Sequence, residues 1–242
     1  MKRLSSVKKE VVYPSEFKYA LVKTKKQFAG KQQQDAHEFL MVMMEILSYD
    51  QPQTKFCGSS RSTTTCLSCN NQVCTEEEFS CLSLVIPLAE MSSTVTLQNC
   101  FDESFAEELI LEGWDCKKCG LVDAAMGKGT QLLNLPKVLT IHLKRFKSTD
   151  RGYIKDNTVV WLPQGEFKVS SSLYRLVGVV NHVGSMNSGH YTARVKLNNR
   201  WKSCDDRRVR DDPTMTRFSK EAYLLFYERI DSEFVVSSDQ GC

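Results

Sequence analysis

The sequence predicts an α+β protein with a helical N-terminal part followed by a mostly antiparallel sheet. Three observations carry this expectation. One clean helical period runs up to residue 48, short β-branched and aromatic segments follow from about residue 56, and two CxxC pairs lie among those segments. At 242 residues, with 41% hydrophobic and 25% charged side chains, the chain has ordinary globular composition and room for one large domain or two small ones.

The elements follow in order. Pro14 can open a short helix carrying Phe17, Ala20 and Leu21, because the N–H that proline lacks has no helical partner at that position anyway. Gly30 marks a break. From there Ala36, Phe39, Leu40, Met43, Met44 and Leu47 recur at helical spacing and predict one buried face. Strands are predicted at Gln72–Thr75, Leu82–Pro87, Leu132–Leu135, Val138–Phe146, Tyr174–His182, Tyr191–Leu197, Trp201–Cys204 and Ala222–Arg229, separated by Gly, Asn and Asp. The residues after Ile230 read as a loosely ordered tail, and no internal repeat is present.

Several function classes recede on composition. The longest apolar stretches, Leu82–Leu88 and Val177–Val180, are strand-sized and too short to span a bilayer, so no membrane partner is expected. The N-terminal MKRLSSVKKE is basic but has no apolar run behind it, which gives no secretory signal and an expectation of cytoplasm and/or nucleus. The 32 basic and 29 acidic residues leave a net charge of only +3, with basic groups concentrated only at Lys23–Lys31 and Arg207–Arg210. Such runs are ordinarily solvated faces, and nucleic acid is disfavoured as a partner.

Ten cysteines without a secretory signal argue for metal rather than a disulfide framework. Cys66-Leu-Ser-Cys69 and Cys116-Lys-Lys-Cys119 are two CxxC pairs, each able to chelate from a tight turn, and together they complete a tetrahedral, four-cysteine structural zinc site. A redox pair is the alternative, but neither motif opens a helix after a βα unit. Cys57, Cys74, Cys81 and Cys100 lack a CxxC partner and read as ordinary thiols.

His190 follows a Gly-Ser-Asn-rich loop at the start of an alternating strand, a place where catalytic groups often sit. Asn198-Asn199 suits a two-residue hairpin turn, since asparagine tolerates positive φ. That turn pairs Leu197 with Arg200, sets His190 opposite Arg207, and brings Asp205 to the same face one diagonal step away. Alternation then points Asp206 to the opposite face. A carboxylate holding one ring nitrogen leaves the other as a general base, so Asp205 is the expected orienter. A surface histidine beside a turn fits the spacing equally well.

QQDAHEFL at Gln33–Leu40, the paired CxxC motifs, LPKVLTIHLKRF at Leu135–Phe146, GSMNSGHYTA at Gly184–Ala193, WKSCDD at Trp201–Asp206 and AYLLFYER at Ala222–Arg229 occur in one order. Together they closely resemble the ubiquitin-specific proteases, a family of cysteine deubiquitinases, over about Pro14–Arg229. The resemblance implies a papain-like fold: residues 1–54 as an incomplete helical thumb, 55–130 as fingers with the zinc site, 131–230 as the palm sheet, and 231–242 as a flexible tail. It further implies His190 as general base, Asp205 as its partner and Asp206 in a polar supporting role. Cys204 departs from the pattern, standing where an aromatic residue is common.

By the same resemblance, Gln33, Asp35 and Glu38 border the channel that receives the ubiquitin tail. That tail is basic and ends in glycines, which suits an acceptor such as Asp35. A helix N-cap is the other reading of Asp35. Ubiquitin and ubiquitinated proteins are the implied partners.

The family's opening Gly-Asn-Thr-Cys box, which supplies the nucleophile and an oxyanion-stabilising asparagine, has no counterpart in residues 1–32, which contain no cysteine. Cys57, the first in the chain, sits in an unrelated FCGSS context. The chain as given is therefore expected to bind without cleaving, as a non-catalytic ubiquitin-binding module or scaffold. The competing readings are a cysteine isopeptidase, which needs the missing thiol, and a zinc-ribbon nucleic-acid binder, which has only the CxxC pairs in its favour.

Overall fold

A computed structural model describes residues 14–50, 55–88, 94–150, 152–186, 188–213 and 216–230, the side chains of 48–50 excepted. The expected tail, 231–242, lies outside the described residues. The architecture is α+β, as the sequence predicts. A helical unit precedes a four-stranded antiparallel sheet and an eight-stranded sheet that is antiparallel except at one edge pair.

The helical unit comprises Ser15–Thr24, a short 3-10 turn at Lys26–Ala29 and Ala36–Asp50. Leu21, Phe28 and Val42 form its buried centre, with Phe39, Met43 and Ile46 packed around them. The second helix buries much of the stripe the sequence predicts, with Met44 6% exposed and Phe39 and Met43 packed here, and widens it on one side. Val42 and Ile46 turn inward, while Leu47 remains 38% exposed. The cause is Phe28, whose ring meets Phe39 edge-on at 5.7 Å and draws the 39/42/43/46 face onto the 3-10 turn.

The four-stranded sheet has the spatial order Gln72–Phe79, Gly58–Cys66, Met126–Asn134, Glu108–Ile110. Gly58–Cys66, reading GSSRSTTTC, is a central strand that the hydrophobic pattern does not reveal. Most of its side chains are half-exposed on both faces, so it needs no apolar alternation; its backbone is paired on both sides instead.

The larger sheet runs Arg208–Asp211, Arg200–Asp205, Gly189–Leu197, Ser172–Gly184, Ala222–Arg229, Val138–Leu143, Leu82–Leu84, with Glu166–Val169 pairing Ser172–Gly184 off that path. Its core includes Leu84, Leu139, Ile141, Leu143, Leu176 and Leu225, all fully buried. Leu82–Leu84 forms the parallel edge pair of the large sheet, and the helix Leu97–Ser104, capped by a reciprocal Thr96/Asn99 box, buries Leu97, Cys100 and Phe101 in the same core. Apolar burial decides their place. Predicted strand Val138–Phe146 also splits, because Lys144 and Arg145 leave the ladder. Arg145, fully buried, donates to the carbonyls of Ala222, Asp156, Thr158 and Ser219 at 2.6 to 3.1 Å and so ties its own segment to 156–158 and 219–222.

Candidate active site and metal centre

His190 is the second residue of Gly189–Leu197 and pairs with Val183 of the central strand. The preceding loop reverses through Gly184, whose φ of 108° and close approach to the Ser188 carbonyl both require glycine. On the other side the hairpin turns through Asn198 and Asn199 at φ 48° and 62°, pairing Leu197 with Arg200 and Ala193 with Cys204. The predicted register therefore holds along the ladder.

His190 Nε2 lies 2.7 Å from Asp205 Oδ1, which leaves Nδ1 for a second partner. Hydrogen bonding to Asp205 is the largest influence on His190, and the nearby charges of Asp205 and Asp206 act with it to raise the imidazole above its ordinary range. Two expectations fail at the strand end. Arg207 is not opposite His190; it sits with Asp206 in the turn that pairs Asp205 with Arg208. Asp206 does not point away either. At φ 50° it has left the strand, alternation no longer applies, and its carboxylate returns so that the ligand atoms of His190, Asp205 and Asp206 lie within 4.8 Å of one another.

Gln33 and Asp35 also come to this place. The Gln33 amide donates to the Gly189 carbonyl at 3.0 Å and accepts from the Gly189 N–H at 3.1 Å. Asp35 takes the helix N-cap role and binds two tyrosines as well. Oδ1 caps the helix by accepting the Glu38 N–H at 2.9 Å, while Oδ2 accepts the hydroxyls of Tyr191 at 3.1 Å and Tyr223 at 2.7 Å. Burial opposes its ionisation, but the bonds donated by Tyr223, Glu38, Tyr191 and His37 outweigh that and hold the carboxyl below its usual range. Glu38 lies elsewhere: its exposed carboxylate accepts from Gln27 at 2.9 Å.

A cleft of about 450 Å³ opens beside this network, walled by Gln33, Asp35, His182, Met186, His190, Asp206 and Tyr223 among others. Among the described residues, none of its lining side chains is a cysteine. Beneath it stack His37 and His142, centroids 4.0 Å apart and 13° from parallel, with Tyr223 edge-on to His142. Burial first, and then the His37 charge, push His142 down to about 3. Tyr191, Tyr223, His142 and His182 were not singled out from sequence. Tyr223 carries a legible signal, since a hydroxyl inside the apolar run Ala222–Leu225 must find a partner when buried.

The four CxxC cysteines converge, with their sulfurs all within 4.8 Å of one another. Two matching turns bring them there. Asn70 N–H bonds the Cys66 carbonyl at 2.9 Å and Gly120 N–H bonds the Cys116 carbonyl at 2.8 Å, with Asn70 and Gly120 at positive φ. Leu67 N–H to the Ala125 carbonyl, at 3.0 Å, ties the first turn to the second CxxC segment. N–H groups of Cys119 and Lys118 directed at the Cys116 sulfur help to hold that thiol below its ordinary range, while Cys69, whose sulfur lies 3.6 Å away, is displaced upward. Such a cluster can hold a metal ion.

An α+β scaffold holding a His–Asp pair beside an open cleft is an arrangement able to activate a nucleophile. The family profile described as Ubiquitin carboxyl-terminal hydrolase matches residues 1–227, and the chain belongs to that family. Ubiquitin carboxyl-terminal hydrolase 21 of Rattus norvegicus is 29% identical over 90% of this chain and 50% of its own length. Ubiquitin carboxyl-terminal hydrolase 4 of Pongo abelii is 36% identical over 63% of this chain and 17% of its own. The chain thus spans half or less of these relatives. Among solved structures, the SAGA Ubp8/Sgf11/Sus1/Sgf73 DUB module bound to ubiquitin aldehyde superposes with TM-score 0.73 at 27% identity, covering 90% of this chain and 54% of that one. The same module bound to monoubiquitin gives 0.72 at 29%, with the same coverage.

Proposed function

We propose that this chain receives the C-terminal tail of ubiquitin in the cleft beside His190 and supplies the general-base half of a deubiquitinase site, and that these 242 residues assayed alone bind without hydrolysis. The observation that carries the reading is an assembled His190–Asp205 pair facing a cleft whose described lining contains no thiol. With Nε2 held by Asp205, Nδ1 is the nitrogen that would take a thiol proton, and the carboxylates of Asp205 and Asp206 would stabilise the resulting imidazolium. A cysteine thiolate so formed would attack the isopeptide carbonyl, expel the amine with a proton returned from His190, and be released by water from a thioester. A glycine-ending tail fits a narrow cleft with the polar walls Gln33 and Asp35.

The intact His190–Asp205 pair also favours a second reading, a hydrolase whose nucleophile is supplied by sequence other than these residues. Zinc is the metal we assign to Cys66, Cys69, Cys116 and Cys119, since four convergent thiolates in paired tight turns match its tetrahedral preference. Its part is to hold the fingers together, not to act on substrate. A fluorogenic ubiquitin C-terminal substrate and an electrophilic ubiquitin probe test the functional reading. Saturable binding without turnover or adduct is expected. Turnover abolished by replacing one cysteine would overturn it.

A further inference from the structure

The segment entering the second helix hydrogen-bonds to the residue on each side of His190. Gln33 forms its two-way bond with the backbone of Gly189, 156 positions away, at 3.0 and 3.1 Å. Asp35 accepts the Tyr191 hydroxyl, and the Ala36 N–H reaches the same hydroxyl at 3.4 Å. Gly189 is also pressed from the opposite side. A Cβ there would run into the His182 imidazole and the Val183 carbonyl, so the backbone lies directly against the His182 ring. His182 itself is only 4% exposed.

Held in this way, the strand start is tied down next to a loop in which Met186 is exposed. A 2.7 Å contact to Asp205 requires that stillness, because an end-of-strand imidazole that is itself half-exposed has little packing of its own to fix its ring. We propose that Gln33 and Asp35 are positioning residues for His190, fixing Gly189 and Tyr191 so that the imidazole stays on Asp205. This rests on the reading of His190 as the general base.

The polar atoms of both side chains are already committed to this task. A primary amide is the one side chain of this length that both donates to and accepts from a single backbone residue, which explains glutamine at 33. A carboxylate at 35 receives backbone donors from the helix start and the hydroxyls of two tyrosines, and thereby locks the helix start to two strands of the large sheet. A merely architectural tie would stabilise the fold without reaching the His190 titration.

The test uses the chain as it stands, followed by NMR. In Gln33→Ala, exchange of the Gly189 amide is expected to accelerate about tenfold, the effect of losing one intramolecular hydrogen bond. The His190 titration midpoint is expected to fall back toward about 6.5 as the Asp205 bond loosens. Gln27→Ala, which removes a hydrogen bond from the same helical unit through Glu38, should leave that midpoint where it is. Should Gln33→Ala fail to fold, Gln33→Met keeps the bulk and removes both bonds, and it decides by the same criteria. A folded Gln33 variant with an unchanged His190 midpoint overturns the proposal, and so does an equal shift in Gln27→Ala. None of these readouts involves ubiquitin, so failure to bind ubiquitin would defeat the functional reading and leave this one standing.

Discussion

Acid should weaken this fold through the histidines packed under the cleft. His142 is buried against His37 and Tyr223, and its folded pKa is pushed to about 3 by burial and by the His37 charge. In the unfolded chain it titrates near about 6.5. Because the folded value is the lower one, the unfolded state binds more protons as pH falls below 6.5, and stability present above that pH is lost progressively down to about 3. Between about pH 7.5 and about pH 5 the cost from His142 alone is about 2 kcal/mol. His37 and His182 are shifted in the same direction, both mainly by burial. The assay is urea denaturation at the two pH values for the wild type and His142→Gln, which can keep a polar contact to Ser83 where Nδ1 now lies 3.1 Å from the hydroxyl. The difference in unfolding free energy between the two pH values should shrink in the variant by about 2 kcal/mol. Contributions from groups remote from His142, including the cysteine cluster, cancel in that comparison. An identical pH dependence in the two proteins would refute the reasoning.

Two further outcomes follow from the site geometry. Cys116→Ser should leave the protein with less than stoichiometric zinc by elemental analysis and with a lower melting temperature, because one of the four convergent sulfurs is gone; full occupancy in the variant would remove that sulfur from the ligand set. Asp205→Asn should lower the His190 titration midpoint toward about 6.5, followed by its Cε1–H resonance, since the Asp205 bond is the main cause of its upward displacement. An unmoved midpoint would detach Asp205 from the imidazole.

Much of the scaffold was legible because its elements state their period or their turn chemistry. Ala222–Arg229 appears with the bounds its apolar and aromatic run suggests, and Asn198-Asn199 set the hairpin register that carries His190 to Asp205. The CxxC spacing foretold which sulfurs would meet. What stayed hidden depended on contacts between distant segments. Gly58–Cys66 is a strand because it is paired on both sides, and its Ser/Thr composition carries no hydrophobic signal. Asp206 escaped the alternation rule because the strand ends one residue earlier, at Asp205. Gln33 pairs with a glycine 156 residues on, a partnership of amide and backbone that leaves no trace in local pattern. Glu38 is one turn further along the helix from Asp35 and faces Gln27, so proximity in a motif did not translate into proximity in the site.

The central claim is that ubiquitin's tail enters the cleft between the Gln33–Asp35 segment and His190. Isotope-labelled chain titrated with intact ubiquitin, and separately with ubiquitin lacking its terminal glycines, tests it most directly. Intact ubiquitin should perturb Gly189, His190, Met186 and Tyr223 together and saturably, the truncated form should leave those resonances largely in place, and the electrophilic probe should give no adduct. Equal perturbation by both forms, or changes confined to the cysteine-bearing fingers, would contradict it.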